Sequence, residues 1–276
     1  MDRYCVMGNP VDHSKSPWIH ARFAELTGER IEYGKRLVPM DGFAEGLRAF
    51  RAAGGRGCNV TVPFKFEAAR LVDFRSARAA LAGACNTLRF EADGIHGENT
   101  DGIGLIADLQ DNAGVSLGGR DVLLVGAGGA AAGVLGPLLE ARPRRVVVAN
   151  RTLEKAQALV QAHAMLANET HADLQASALH AVRGRFHLVI NGTATSMTGG
   201  AVPIDAAVLQ PGALACDLMY GPAAQGFLHW AREHGAVGRD GLGMLVEQAA
   251  EAFRVWRGIR PPSAQVLAEL RREMQG

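Results

Sequence analysis

Val122-Leu123-Leu124-Val125-Gly126-Ala127-Gly128-Gly129-Ala130-Ala131 is the stretch that decides the fold. Four consecutive apolar residues read as a strand buried on both faces, and they run directly into G-x-G-x-x-A. In that pattern Gly126 permits a tight turn, Gly128 lets the backbone approach a pyrophosphate, and Ala131 allows close helix–strand packing. The phosphates would lie at the N-terminus of a helix starting near Gly129, where free amides and the dipole favour anions. Gly126, Ala127, Gly128, Gly129 and Ala130 are therefore cofactor-binding candidates. No charged residue occurs from 122 to 139, close to the length of a short membrane span. Six interruptions (Gly126, Gly128, Gly129, Gly133, Gly136 and Pro137) favour strand, turn and buried helix instead.

A second strand is expected at 145–149, ending in Asn150-Arg151-Thr152. An NAD enzyme would carry an acid near this point to hold the ribose 2′-hydroxyl. None is present. Arg151 with Lys155 suits a 2′-phosphate, which a guanidinium can clamp with paired donors, so NADP is the expected cofactor. The plainer alternative makes Arg151 a solvated charge and Asn150 a helix cap.

Working outward, strands and helices alternate, the pattern of an α/β fold. Strands are expected at 3–7, 32–37, 57–62, 186–191 and 213–217, with a hairpin over 84–91 and 94–98. Helices are expected at 16–25, 43–53 (stopped by Gly54-Gly55), 64–71, 76–81, 101–111, 153–167, 224–233, 243–258 and 263–275. A chain of 276 residues exceeds what one core holds comfortably, so two domains follow. No low-complexity linker separates them, which suits a hinged cleft.

Charge offers no case for nucleic acid or an anionic membrane, since 29 basic residues balance 28 acidic ones. Cys5, Cys58, Cys85 and Cys216 are scattered without a C-x-x-C pair, so buried free thiols in a reduced cytoplasm are expected, and no metal site. The opening Asp2-Arg3 leads straight into a strand, so no signal peptide is expected.

Three polar clusters in the first half exceed what a bland structure needs. His13-Ser14-Lys15-Ser16-Pro17 pairs two hydroxyls with a helix start. Asn59-Val60-Thr61-Val62-Pro63-Phe64-Lys65 sets polar groups around a strand end. Asn86-Thr87 and Asn99-Thr100-Asp101-Gly102 add amides and a carboxylate. A ligand dense in hydroxyls needs such partners, because an unpaired buried polar group costs about 1–3 kcal/mol. Taken singly, Lys65 could be a surface lysine and Asp101 or Ser16 a helix cap. Ser14 is harder to explain as a cap. His13 and His96 invite an acid/base role because histidine as a residue type titrates near neutrality, but a bland loop or edge position is the plainer reading, and Trp18 reads as packing.

These motifs, with Gly8-Asn9-Pro10, Gly83-Ala84-Cys85-Asn86-Thr87 and Asp240-Gly241-Leu242-Gly243-Met244-Leu245, resemble the shikimate dehydrogenase signature. The matches run in order from 8 to 248. The resemblance implies an N-terminal α/β substrate domain over 1–101, a Rossmann-like NADP domain over 102–238, and C-terminal helices over 239–276 packing back on the first domain. It implies reduction of 3-dehydroshikimate to shikimate with NADPH, with Lys65 as the acid/base residue and Asp101 beside it. Ser14, Ser16, Thr61, Asn86, Asp101, Tyr220 and Gln248 would contact the substrate's carboxylate and ring hydroxyls. Asn150, Arg151, Thr152 and Lys155 would join the glycine loop in holding the cofactor, with Leu218 and Gly241 near the nicotinamide. Monomer and homodimer both remain open.

Some positions depart from the commoner pattern. Lys155 stands where many members have arginine, Ala77 replaces a frequent acid and Leu218 a frequent methionine. Asn191-Gly192-Thr193-Ala194-Thr195-Ser196 is a looser match. Two rivals are a quinate/shikimate enzyme with relaxed substrate or NAD use, and a catalytically silent metabolite sensor. A sensor would be expected to lose Lys65 or the glycine loop, or to carry an effector domain.

Overall fold

The computed structural model describes residues 1–193 and 204–275, which fall into two compact units, Met1–Gly104 with Leu245–Gly276, and Leu105–Met244. The first unit contains β1 (Asp2–Gly8), α1 (Ser16–Thr27), β2 (Ile31–Leu37), α2 (Phe43–Ala52), β3 (Gly55–Val60), α3 (Lys65–Leu71), β4 (Phe74–Arg75), α4 (Ala77–Ala82), β5 (Thr87–Phe90) and β6 (Ile95–Glu98). The chain leaves it through α5 (Asp101–Ala107). The second unit contains β7 (Asp121–Val125), α6 (Gly129–Glu140), β8 (Arg145–Asn150), α7 (Leu153–Thr170), β9 (Asp173–Ala178), β10 (Phe186–Asn191), β11 (Leu209–Asp217), α8 (Gln225–Glu233) and β12 (Val237–Arg239). The return is made through α9 (Leu242–Arg257), and α10 (Ser263–Gln275) follows.

The second unit's sheet runs β12-β11-β10-β7-β8-β9, with every neighbouring pair parallel. Counted within the unit from the β9 edge this is order 3-2-1-4-5-6, the doubly wound dinucleotide-binding arrangement. The direction of winding reverses between β7 and β10, and the glycine loop follows β7 at that point. The central strands are apolar on both faces because helices cover both: Val122, Leu123, Leu124 and Val125 are all fully buried.

The first unit's sheet is mixed, in order β2-β1-β3-β5-β6-β4. β1 pairs parallel with β2 and β3, while β5 runs antiparallel to both β3 and β6. One face carries Met7, Phe43, Leu47, Cys58, Phe64 and Leu88 in a shared core. Tail helix α9 packs on this unit through aromatic contacts, with Tyr4 and Trp256 stacked at 4.5 Å and Trp256 Nε1 donating to the Leu88 carbonyl at 3.0 Å. Arg257 pairs with Glu29 and Asp2, and Arg22 of α1 grips Glu269 of α10 at 2.7 and 3.0 Å.

Several expected elements are corrected. The helix expected over 101–111 ends at Ala107, and Asp108–Asn112 form a wider π-helical turn. The strand expected to reach Val62 stops at Val60, and the chain turns through Thr61 to Phe64. Gly54 has the left-handed φ of 84°, but Gly55 already belongs to β3. Strands β4, β9 and β12 were not expected at all. Two are only two and three residues long, and β9 (Asp-Leu-Gln-Ala-Ser-Ala) is a polar edge strand. Ser16 does not cap α1; the cap position is Lys15, and Ser14 Oγ accepts the Ser16 amide at 3.3 Å. Asp101 is the first helical residue of α5, its amide accepted by Asn99 Oδ1 at 3.1 Å. Asn150 is not the cap of α7: Thr152 holds that position, and Asn150 Nδ2 donates to the Thr152 carbonyl at 2.8 Å. No helix among the described residues is long and apolar enough to cross a membrane.

Candidate active site

Strand direction explains how three distant segments meet. β3, β5 and β6 are antiparallel neighbours, with Asn59 opposite Thr87 and Thr87 opposite Glu98. The end of β3, the start of β5 and the end of β6 therefore share one edge of the sheet. Lys65 opens α3 just after β3, Asn86 precedes β5, and Asp101 opens α5 just after β6. Lys65 Nζ reaches Asp101 Oδ2 at 2.5 Å, with the two side chains 13% and 5% exposed. Asn86 Nδ2 donates to Asp101 Oδ1 at 2.9 Å and to Thr100 Oγ1 at 2.9 Å. From α9, Gln248 Oε1 accepts from Asn86 Nδ2 and Thr100 Oγ1, each at 3.3 Å.

A lysine this covered is no surface solvator. Its carboxylate partner supplies a charge-assisted hydrogen bond, which is about twice as strong as a neutral one. The arrangement joins a proton donor to a set of amides and hydroxyls in one buried cluster. Such a cluster can bind a polyhydroxylated ligand and move a proton to one of its oxygens.

Ser14 and Ser16 lie before and at the start of α1, which follows the C-terminal end of β1, and their hydroxyls are 3.1 Å apart. β1 and β3 are parallel neighbours, with Met7 opposite Val60, so Thr61 leaves the sheet at the same end. A Cβ on Gly8 would stand 2.3 Å from Thr61 Cγ2, which is why the strand ends in glycine there. Tyr220 belongs to the second unit, just before a short 3₁₀ turn at Gly221–Ala224. All the other substrate candidates belong to the first unit.

In the second unit, Gly126 has φ 111°, and a Cβ there would lie 3.0 Å from the Gly192 backbone. Two chain ends approach closely at the reversal point, and glycine is required on steric grounds. A Cβ on Gly128 would meet nothing within 4 Å, and α6 begins there without a side-chain cap. The Gly129 and Ala130 end of that helix, preceded by Ala127, can accept an anion. Ala131, fully buried, packs α6 against the strands. Leu218 donates its amide to the Asn191 carbonyl, and a Cβ on Gly241 would stand 2.3 Å from the Leu218 oxygen. Gly241 is thus needed for backbone packing, whatever else it does. Ala194, Thr195 and Ser196 of the looser motif lie outside the described residues.

A shallow hollow, open to solvent, lies beyond the ends of β8 and β9. Its walls include Arg151, Thr152, Glu154, Ser177, Ala178 and His180; Asn150 is just before it and Lys155 is not on its wall. Ser177 and His180 were missed by sequence reasoning. They reach this place only because β9 pairs parallel with β8, aligning Asn150 with Ala178, and a polar edge strand leaves little periodicity to read.

Comparison with known proteins decides the family. Residues 6–88 match the model of the shikimate dehydrogenase substrate binding domain, 108–198 that of shikimate / quinate 5-dehydrogenase, and 241–271 that of the shikimate 5′-dehydrogenase C-terminal domain. A protein of Paracidovorax citrulli (strain AAC00-1), named shikimate dehydrogenase (NADP(+)), is 67% identical over 99% of this chain and 98% of its own. This chain belongs to the shikimate dehydrogenase family. Two solved structures extend the likeness. An Ael1 enzyme from Pseudomonas putida has TM-score 0.86 at 46% identity, covering 98% of each chain. Shikimate 5-dehydrogenase from Thermus thermophilus, in complex with NADP(H) and shikimate, has TM-score 0.83 at 33% identity, covering 99% of each.

Proposed function

We propose that this chain reduces 3-dehydroshikimate to shikimate with NADPH, and oxidises shikimate with NADP in the reverse direction. The observation that carries this reading is the buried Lys65–Asp101 pair, 2.5 Å apart within a cluster of amides and hydroxyls. NADPH, when bound, supplies the hydride that reaches the C3 carbonyl carbon. As oxygen charge grows, the Lys65 ammonium donates its proton to the forming alkoxide. Asp101 keeps that ammonium aimed through one oxygen, while its other oxygen accepts from Asn86. In the reverse direction Lys65, as the neutral amine, takes the hydroxyl proton back.

Ser14, Ser16, Thr61, Asn86, Asp101, Tyr220 and Gln248 would contact the substrate's carboxylate and ring hydroxyls. The cofactor fits this chain because the start of α6 is uncapped, Gly128 is open and Arg151 lines the hollow at the end of β8. Gly126 to Ala130 would hold the pyrophosphate, and Asn150, Arg151 and Thr152 the 2′-phosphate, with Lys155 in the first turn of α7 adding positive charge from off that wall, and Leu218 and Gly241 near the nicotinamide. The end of β8 carries Asn150 and Arg151 where an NAD enzyme would carry an acid, which supports NADP over NAD. Four free, buried cysteines support a cytoplasmic location.

Lys65→Ala tests the assignment. Steady-state assay should find kcat lowered about 10²- to 10⁴-fold with little change in the KM for shikimate. A loss confined to KM would reduce Lys65 to a binding residue.

A further inference from the structure

The site cluster continues away from Asp101 into the sheet, and the direction of each hydrogen bond can be assigned. Asn86 Oδ1 accepts the Thr100 amide at 2.8 Å, and the Asp101 carboxylate opposite can only accept, so Nδ2 must face Asp101. Asn59 is fixed in the same way. Its Nδ2 donates to the Asn86 backbone carbonyl at 3.2 Å, which leaves Oδ1 facing the Tyr33 hydroxyl at 2.7 Å. The phenol must therefore donate. Asn59 Nδ2 also donates to Thr87 Oγ1 at 3.0 Å, freeing the threonine hydrogen to point at Asn86 Oδ1, 3.1 Å away.

Every bond in this series runs one way, from Tyr33 through Asn59, Thr87 and Asn86 to Asp101. Asn59, Asn86, Thr87 and Asp101 are all buried. In such surroundings bonds in series polarise one another, and each fixes the rotor of the next. Stacking of His20 on the Tyr33 ring at 4.2 Å and 10° holds the phenol in place. Burial raises the phenol's pKa well above its ordinary value, so it remains a donor across the working range.

We propose that Tyr33, Asn59 and Thr87 form a one-way relay that orients the Asn86 carboxamide, and through it the Asp101 carboxylate, making all three positioning residues for proton transfer. The inference rests on the assignment of Lys65 and Asp101 to that transfer.

The test compares Thr87→Val, which keeps the shape and loses the hydroxyl, with Thr87→Ser, which keeps the hydroxyl and loses a methyl. Purified full-length variants are measured for thermal midpoint, kcat and KM in shikimate oxidation with NADP. Thr87→Val should lower kcat about 3- to 10-fold, the effect of one lost hydrogen bond, with a smaller change in KM. Thr87→Ser should restore kcat to within about twofold, and Tyr33→Phe, at the far end, should lower it only about two- to threefold. A packing role predicts the reverse order, with valine tolerated and serine costly. Valine at full kcat, or equal losses in valine and serine, overturns the relay. Should Thr87→Val fail to fold, Thr87→Ala replaces it: a lowered kcat that Thr87→Ser does not share supports the relay, and an unchanged kcat overturns it. Lys65→Ala run alongside separates the two claims. If it stays active the proton-transfer reading falls, whereas an inactive Lys65→Ala with an unaffected Thr87→Val removes the relay alone.

Discussion

His20 is fully buried among rings, 4.2 Å from Tyr33 and 5.3 Å from Trp256, and burial lowers its pKa from 6.5 to about 3. Its titration should be visible in the stability of the protein. Above pH 6.5 the residue is neutral in both folded and unfolded chains, and its contribution is complete. As pH falls from 6.5 towards 3, the unfolded chain binds a proton that the folded chain refuses. Stability then drops by about 1.4 kcal/mol per pH unit from this group and levels off below its folded pKa. Urea unfolding of wild type and His20→Phe at pH 7 and pH 5 isolates the effect: the wild type should lose about 2 kcal/mol more than the variant. Parallel losses would mean that His20 is not held neutral. The four thiols are similarly inert, with burial pushing Cys5 and Cys85 up to about 12. All four are free and buried, as their spacing led one to expect.

Among the elements, the π-helical turn at Asp108–Asn112 has the clearest purpose. It sets Asp108, fully buried, against Arg239 of β12, with Nε 2.7 Å from Oδ2 and Nη2 2.5 Å from Oδ1. A Cβ on Gly243 would fall 1.7 Å from Asp108 Oδ1, so the glycine in Asp240-Gly241-Leu242-Gly243 makes room for this pair. Asp108→Ala leaves a guanidinium without its carboxylate and should cost about 3–5 kcal/mol in chemical unfolding. Adding Arg239→Met should recover much of that loss. A cost below about 1 kcal/mol for Asp108→Ala would show the pair to be dispensable. Nothing in the sequence announces this turn, because its cause lies more than a hundred residues away in β12 and Gly243. Strands such as β7 and β8 were legible because they are apolar on both faces; β9 was not, since an edge strand with polar side chains carries no burial pattern. Lys65 and Asp101 were legible as motif residues. Thr87 was legible as a neighbour of Asn86 in a polar motif, but its contact with Asn59 was not, and Tyr33 was not legible at all, because only the pairing of strands in the sheet brings them together.

At the scale of the whole molecule, one unit holds the lysine–aspartate cluster and the other holds the dinucleotide fold. On the proposed reading, cofactor choice lies in the second unit at the end of β8, where Arg151 lines the hollow and the strand itself ends in Asn150, not an acid. A 2′-phosphate brings nearly two negative charges to a place where NAD brings a neutral hydroxyl. Charge-assisted contacts there are worth about 2–4 kcal/mol of discrimination, or one to three orders of magnitude in kcat/KM. Glu154 on the same wall and the absence of Lys155 from it favour the lower half of that range. Arg151→Ala should raise the KM for NADP and leave that for NAD nearly unchanged in steady-state assay, and added salt should erode the preference. Equal effects on both cofactors would remove Arg151 from the phosphate site. The central claim is tested most directly by kcat/KM for shikimate and for quinate, each with NADP and with NAD. The account predicts that shikimate with NADP exceeds every other combination by about tenfold or more. Equal rates with the two cofactors, or quinate used as well as shikimate, would contradict it.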